Sequence, residues 1–376
     1  MKLFDVYSLF DLEPVKAKGY YLWDNKEVKY LDLYGGHAVI SIGHSHPHYV
    51  KRISDQLNNI GFYSNSVKIP AQQELAELLG EMSGYDEYQL FLCNSGAEAN
   101  ENALKLASFH TKKKKVIAFS KAFHGRTSAA VAATDNKSIV APINETENIL
   151  FLDFNDETAL EKAFKENEIA AVIIEGIQGV GGIRIPTTQF LQKIESLCEK
   201  HQAVFIADEI QSGYGRTGKF FAHQFADVQP DLITMAKGMG NGFPVAGVLI
   251  SPKIQPKKGM LGTTFGGNYL ACAASLAVLE VMKEESLIEN AQKKGDYLVD
   301  QLQDIPQIAE IRNLGLMIGI ELDRPCAEIR NNLLTKHHIL TGNSSDKNTL
   351  RVLPALNVGT KEIDQFIQAL KSEINA

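Results

Sequence analysis

Three charged residues close short apolar runs: Glu175 ends AAVIIE (170–175), Asp208 ends AVFIAD (203–208) and Lys237 ends LITMAK (232–237). Open α/β sheets bind their ligands beyond the carboxyl ends of parallel strands, so these side chains are predicted to converge on one crevice. Two acids and a lysine are costly to bury unless they are paired or used. Taken singly, each reads equally well as half of a structural salt bridge. The stretches that follow shift the balance toward a ligand: GIQGVGG after Glu175, QSGYGRTG after Asp208 and GMGNG after Lys237. Glycine lets the backbone approach a ligand closely, and such loops cost ordering entropy.

A phosphate site is also visible. NSGAEANE (94–101) follows an apolar run and opens a helical pattern, with Ser95 and Glu98 at capping-box spacing. The N–H groups of Gly96 and Ala97 then point out of a helix N-terminus, where partial positive charge suits a phosphate dianion. Many helices begin this way without a ligand. No Walker-type GxxxxGK[ST] is present and no GxGxxG follows a first strand, which lowers nucleotide and dinucleotide readings. Phosphate cradle, strand-end aspartate and strand-end lysine together match what pyridoxal 5'-phosphate (PLP) requires. A lysine amine holds the cofactor as a Schiff base, and an aspartate keeps the pyridine nitrogen protonated so that the ring takes up electrons. A desolvated lysine near other cations has the lowered pKa that proton transfer needs.

The elements that must position these groups follow from the apolar pattern. YQLFLC (88–93), KVIAFS (115–120) and AGVLIS (246–251) join the three runs above as strands buried on both faces, with helical patterns between several of them. The expected fold is α/β with a mostly parallel, seven-stranded-type central sheet. Antiparallel strands over 20–34, long helices after 268 and short strands near LMIGIEL and TLRVLPA suggest a smaller α+β domain built from both chain ends. The boundaries expected are 51–255 for the large cofactor domain and 1–50 with 256–376 for the small one. At 376 residues the chain exceeds one ordinary core. Its net charge of −7 argues against nucleic acid. No apolar stretch suits a membrane span and no signal peptide is apparent, so a cytoplasmic location is expected. The separated Cys93, Cys198, Cys272 and Cys326 read as reduced thiols. His44 with His46, and His337 with His338, lack a third ligand at a suggestive spacing, so no metal is expected.

The chain resembles the class III (ornithine/acetylornithine-type) aminotransferases, a fold-type I PLP family, over nearly its whole length. The likeness is densest in NSGAEANE, FHGRT (123–127), EGIQGVGG (175–182), DEIQSGYGRTGKF (208–220), LITMAKGMGNGFPVAG (232–247) and GTTFGGN (262–268). The resemblance implies Lys237 as the Schiff-base lysine, Asp208 as the pyridinium partner and Gln211 as the contact to the ring hydroxyl. It also implies cofactor contacts from Ser95, Gly96, Ala97, Phe123, His124 and Glu175, with Phe123 stacked on the ring. Thr264 matches a residue that reaches the phosphate from a neighbouring subunit, which implies a homodimer with shared active sites.

For substrates, the resemblance implies that Arg126 binds the α-carboxylate of a donor, that Thr263 lies nearby, and that Arg351 takes the carboxylate of glutamate or 2-oxoglutarate. Guanidinium forks suit carboxylates. The expected reaction is transfer of the terminal amine of an N-acylornithine, foremost N2-acetylornithine, to 2-oxoglutarate in arginine biosynthesis. N-succinylornithine and ornithine remain open as donors, and a PLP-binding homologue without transaminase activity is the alternative of a different class. Two positions depart from the family pattern: Gly176 stands where proline is common, and Val180 where a glutamate usually follows Gln-Gly. In relatives that glutamate can mask the second arginine. Valine cannot, which leaves Arg351 open to a carboxylate, including one on a succinyl group.

Overall fold

The computed structural model describes residues 1–375. Near the N-terminus, β1 (Pro14–Lys18), β2 (Tyr21–Asp24) and β3 (Lys29–Asp32) form an antiparallel meander. The Asp24 carboxylate accepts the N–H groups of Lys26 and Val28 and so closes the β2–β3 turn.

The central sheet holds β4 (Gln89–Cys93), β5 (Lys115–Phe119), β6 (Ile149–Leu152), β7 (Ile169–Glu175), β8 (Val204–Asp208), β9 (Leu232–Met235) and β10 (Ala246–Ile250). Its seven strands run in the order β4-β10-β9-β8-β7-β5-β6. Pairing is parallel from β6 to β9, and β10 is antiparallel to both β9 and β4. Both faces are covered, as unbroken apolar runs require. On β7, Ala171 and Ile173 join one apolar core while Val172 and Ile174 join the opposite one. Helix Gly96–Thr111 packs on the first face and helices Glu157–Glu166 and Thr188–His201 on the second. The edge strand β6 is the one strand of this sheet that the apolar runs had not singled out. Its residues are only partly buried, so its hydrophobic signal is diluted.

After the sheet come helices Tyr269–Glu284 and Leu287–Leu302. The first is apolar nearly all round and buried from Ala271 to Leu279. Strands β11 (Ile308–Leu314), β12 (Met317–Leu322) and β14 (Thr349–Val352) form an antiparallel sheet, while β13 (Ile339–Leu340) pairs parallel with β3. Chain start and chain end are therefore hydrogen-bonded into one sheet. One continuous core runs from Leu31 and Leu33 through the two long helices to Phe366 and Leu370.

Helix Leu287–Leu302 approaches the β11–β12 turn at Gly295, where a Cβ would lie 2.0 Å from the Gly315 carbonyl oxygen. Backbone cannot yield as a side chain does. Gly295→Ala is expected to destabilise the protein by about 3 kcal/mol, the upper part of the overpacking range, read as a lowered denaturation midpoint.

Candidate active site

The register of the central sheet sets Glu175 opposite Asp208 on β7 and β8, and Asp208 opposite Thr234 on β9. The strand ends open on a cavity of about 420 Å³, large enough for a phosphorylated pyridine ring. Ser95, Gly96, Ala97, Phe123, His124, Arg126, Glu175, Asp208, Gln211 and Lys237 all line it.

Asp208 lies at its floor and is only 4% exposed. Its Oδ2 accepts the Asn100 side-chain amide at 2.8 Å and pairs with His124 Nδ1 at 2.7 Å. Its Oδ1 accepts the Ile210 N–H at 3.1 Å. Asn100 is itself fixed, donating to the His124 carbonyl and accepting from Thr234 Oγ1. Burial pushes the His124 pKa down, but the hydrogen bond and charge of Asp208 outweigh it and the net shift is upward. His124 Nε2 is buried without a partner.

Lys237 follows β9 and opens a short 3-10 turn, Lys237–Met239, with a left-handed φ of 46°. A non-glycine residue held there stores local strain of about 1–3 kcal/mol. Burial lowers its pKa, Asp208 and Glu175 oppose that shift, and Arg351 adds to it. The amine thus spends more of its time unprotonated than an exposed lysine does.

Glu175 lines the cavity, but both its oxygens are engaged by loops. Oε1 accepts the Phe123 N–H at 3.0 Å and Oε2 the Gly179 N–H at 3.2 Å. Burial, with the neighbouring Asp208, raises its pKa to about 7 against the lowering pull of His124 and the two N–H groups.

At the other end of the cavity, Ser95 caps helix Gly96–Thr111 by accepting the Glu98 N–H, and Glu98 in turn accepts the Asn94 N–H. Intrahelical bonding begins with the Ala99 N–H, so the Gly96 and Ala97 donors are left over. A Cβ on Gly96 would sit 2.9 Å from Ile210 carbons, so glycine keeps the helix start close to the Asp208 loop.

The donor set therefore fits PLP: a partly free amine, a fixed carboxylate at the far end, apolar walls from Phe123, Ile177 and Ile210, and unpaired N–H groups at a helix N-terminus.

The two arginines are placed differently. Arg126 is exposed at the cavity wall with its guanidinium 6.0 Å from the Phe123 ring centroid. Arg351, on β14, is 3% exposed and pairs with no carboxylate among the described residues. Its Nε donates to the Asn343 carbonyl at 2.5 Å, and its Nη atoms reach Gln211 Oε1 at 3.5 Å and Tyr34 Oη at 3.4 Å. Val180 lines the same cavity and its carbonyl accepts the Ser345 N–H. Gly176 has no space for a larger residue: a Cβ would lie 2.7 Å from Glu209 Oε1 and 2.8 Å from Ser212 Oγ.

Thr263 and Thr264 do not line the cavity of their own chain. Thr263 Oγ1 accepts from the Asn94 side chain at 3.2 Å, and Thr264 is exposed. The histidines of GHSHP turn to separate carboxylates, His44 to Asp32 and His46 to Glu285. Residue-type reasoning passed over Asn100, Tyr34 and His37. Asn100 lay inside NSGAEANE as one more polar helix residue. The Gly35-Gly36 pair was the available signal for the other two.

The family model for class III aminotransferases (Aminotransferase class-III) matches residues 6–374. The chain belongs to this family. Its members depend on PLP and transfer amino groups. Among curated proteins, the chain is 40% identical to the acetylornithine aminotransferase of Bacillus subtilis (strain 168), covering 99% of this chain and 97% of the other. It is 38% identical to the acetylornithine aminotransferase of Archaeoglobus fulgidus over 94% of this chain and 93% of that protein. Among solved structures, the ornithine aminotransferase of Toxoplasma gondii ME49 superposes with a TM-score of 0.90 at 29% identity, covering 98% of this chain and 91% of the other. The acetylornithine aminotransferase of Elizabethkingia anophelis gives 0.84 at 28% identity, with coverages of 98% and 95%.

Asn100→Ala is expected to cost about 1–3 kcal/mol, because it strips a donor from a buried carboxylate and leaves the Thr234 hydroxyl unpaired. The thermal midpoint of the PLP-free protein checks this. Because the Glu175 pKa is raised, its contribution to stability is complete below the ordinary carboxylate pKa of 4.5 and is lost as pH rises through about 7. In the PLP-free protein, infrared spectra are expected to show a protonated carboxyl band below pH ~6 that fades above ~8 and is absent in Glu175→Gln.

Proposed function

We propose that this aminotransferase moves the δ-amine of an N-acylornithine, foremost N2-acetylornithine, to 2-oxoglutarate, giving N-acetylglutamate 5-semialdehyde and glutamate for arginine biosynthesis. The observation that carries this reading is a pair of arginines that meet no carboxylate among the described residues: Arg126, exposed on the wall of the Lys237 cavity, and Arg351, buried behind the Gln211 side chain that lines it. The full-length relatives named as acetylornithine aminotransferases support the donor.

When bound, PLP supplies the electrophilic carbon that takes the amine and the electron sink for the C–H bond that breaks. The Asp208 carboxylate, immobilised by Asn100, His124 and the Ile210 N–H, would accept the pyridine N–H. The Gly96 and Ala97 N–H groups would hold the phosphate, and Phe123 would supply an apolar wall for the ring. Lys237 would be the covalent anchor of the cofactor, and its amine, when free, would be the group placed to take up and release the substrate's proton. Arg126 binds the donor's distant carboxylate; Arg351 binds the carboxylate next to the reacting carbon of the acceptor. Gln211 orients the ring hydroxyl. Glu175 acts by clamping the Phe123 and Gly179 loops.

In this reading residues 51–255 supply the cofactor wall, and the small domain, 1–50 with 256–376, supplies Arg351. A homodimer with shared sites is supported by exposed Phe62 packed on exposed Phe265, next to Thr264 in the chain. Thr264 then reaches the partner's phosphate and Thr263 lies near its substrate. Four free, buried thiols support a cytoplasmic setting.

The test is a single half-reaction. PLP-loaded protein is mixed with N-acetylornithine, N-succinylornithine or ornithine without oxo acid, and loss of the PLP absorbance is followed. Rapid loss with N-acetylornithine supports the proposal. Fast loss with N-succinylornithine alone moves the donor to the succinyl compound, as the Val180 position allows. Loss with free ornithine alone, or with none of the three, overturns the acylornithine reading. Arg126→Ala is expected to lower kcat/KM for the donor roughly 10- to 100-fold.

A further inference from the structure

Residues 35–38 turn the wrong way round. Gly35, Gly36, His37 and Ala38 have φ of 55°, 54°, 70° and 63°, four left-handed residues in succession. Left-handed backbone costs roughly 1–2 kcal/mol for each residue that carries a Cβ, and two of these four do. The turn is held from several sides. Asp32 Oδ1 accepts the Gly35 N–H at 2.8 Å, the Ala38 N–H closes back on the Tyr34 carbonyl at 2.9 Å, and Gln211 Nε2 donates to the His37 carbonyl at 3.1 Å. Strain so firmly maintained beside a cavity points to function.

The turn brings His37 Nδ1 against the Tyr34 hydroxyl, which also meets Arg351 Nη2 at 3.4 Å. The opposite wall is cut to receive them: a Cβ on Gly342 would lie 2.3 Å from the Tyr34 ring. A hydroxyl has one hydrogen and two acceptor sites. With His37 neutral, the Tyr34 hydrogen is spent on Nδ1 while its oxygen accepts from Arg351. With His37 protonated, Nδ1–H donates to the Tyr34 oxygen and the hydroxyl hydrogen turns free. Arg351 then has beside it a second cation and a neutral donor, a set matched to a carboxylate.

We propose that Tyr34 and His37 complete the carboxylate subsite of Arg351: Tyr34 as the positioning residue of the guanidinium and a direct donor, His37 as the residue that takes up a proton when the carboxylate binds. This rests on the reading of Arg351 as the acceptor's site. The terminal-amine end of the donor has no carboxylate at this place, so the subsite makes the two half-reactions respond differently to pH.

The charged and titratable groups around His37 are Tyr34, Arg351 and Lys237, and those around Arg351 also include Glu175 and Arg330. In the free site partial desolvation of the His37 ring, which still keeps an exposed edge, then Arg351, then Lys237 hold its pKa below the ordinary 6.5. A bound carboxylate opposes that and raises it. Affinity for a carboxylate is therefore greatest below the free pKa and falls as pH rises toward the bound one.

The test uses the PLP-loaded enzyme and glutarate, a dicarboxylate with no oxo group to react. With ring-labelled histidine, the His37 resonance, assigned by its loss in His37→Gln, is titrated by NMR with and without saturating glutarate. A rise in its midpoint with glutarate is expected, and no movement overturns the proposal. In kinetics, His37→Gln and Tyr34→Phe are expected to lower kcat/KM for 2-oxoglutarate about tenfold more than for the acylornithine, chiefly through KM. His37→Gln should also remove the rise of the acceptor KM with pH. Equal losses in both half-reactions with the pH slope retained would overturn the proposal. Glutarate moving His37 in an enzyme that turns over no acylornithine would sink the proposed donor and leave this subsite standing.

Discussion

The constraint on which this molecule turns is the buried carboxylate of Asp208 at the floor of a seven-stranded sheet. An unpaired buried charge costs several kcal/mol, so it persists only where fixed donors replace water. Here the donors come from three directions: Asn100 from the first turns of a helix, His124 from the loop after β5, and the Ile210 N–H from the next turn of the chain. Asn100 is itself tied down, by Thr234 on β9 and by the His124 carbonyl. The helix that brings Asn100 also presents the Gly96 and Ala97 N–H groups. Holding the carboxylate and presenting two free N–H groups to the cavity are thus two consequences of seating one helix. Glu175 performs the same service for the loops, joining the Phe123 and Gly179 segments through two N–H bonds.

Close approach is the second requirement. The glycine-rich loops are rich in glycine for particular reasons at particular places. At Gly179 a Cβ would collide with Gln211 Oε1 at 1.7 Å, and at Gly342 with the Tyr34 ring. Gln211 and Tyr34 are the two side chains that meet the Arg351 guanidinium. Glycine at 179 and 342 is therefore space reserved for the partners of an arginine that has no carboxylate of its own.

Electrostatics carries the asymmetry between the two ends of the reaction. A chain of net charge −7 keeps Lys237 and Arg126 on one cavity, with Arg351 behind the Gln211 side chain that lines it. Burial lowers the Lys237 pKa and Arg351 lowers it further, while Asp208 and Glu175 restrain the effect. With no carboxylate paired to Arg351 among the described residues, its field acts on the lysine. Val180 preserves that state, since a valine offers nothing for the guanidinium to pair with.

Much of the fold was legible without coordinates. Solid apolar runs ending at Glu175, Asp208 and Lys237 read as doubly buried parallel strands because burial on both faces leaves no polar alternation. Ser95 and Glu98 marked a helix start because capping is a matter of local spacing. Tertiary structure decided what local spacing cannot carry. Thr263 and Thr264, neighbours of the site by motif, stand off the cavity of their own chain. Asn100 became the clamp on Asp208 across 108 positions, and Tyr34 met Arg351 across 317. The left-handed turn at 35–38 was hinted at by two glycines, but His37 and Ala38 adopt it only because Asp32 and Gln211 hold it from outside. A sequence determines period, caps and the chemistry of each side chain through neighbours a few residues away. Which donors solvate a buried charge, and which cation is left without a partner, depends on contacts that exist only once distant segments have packed.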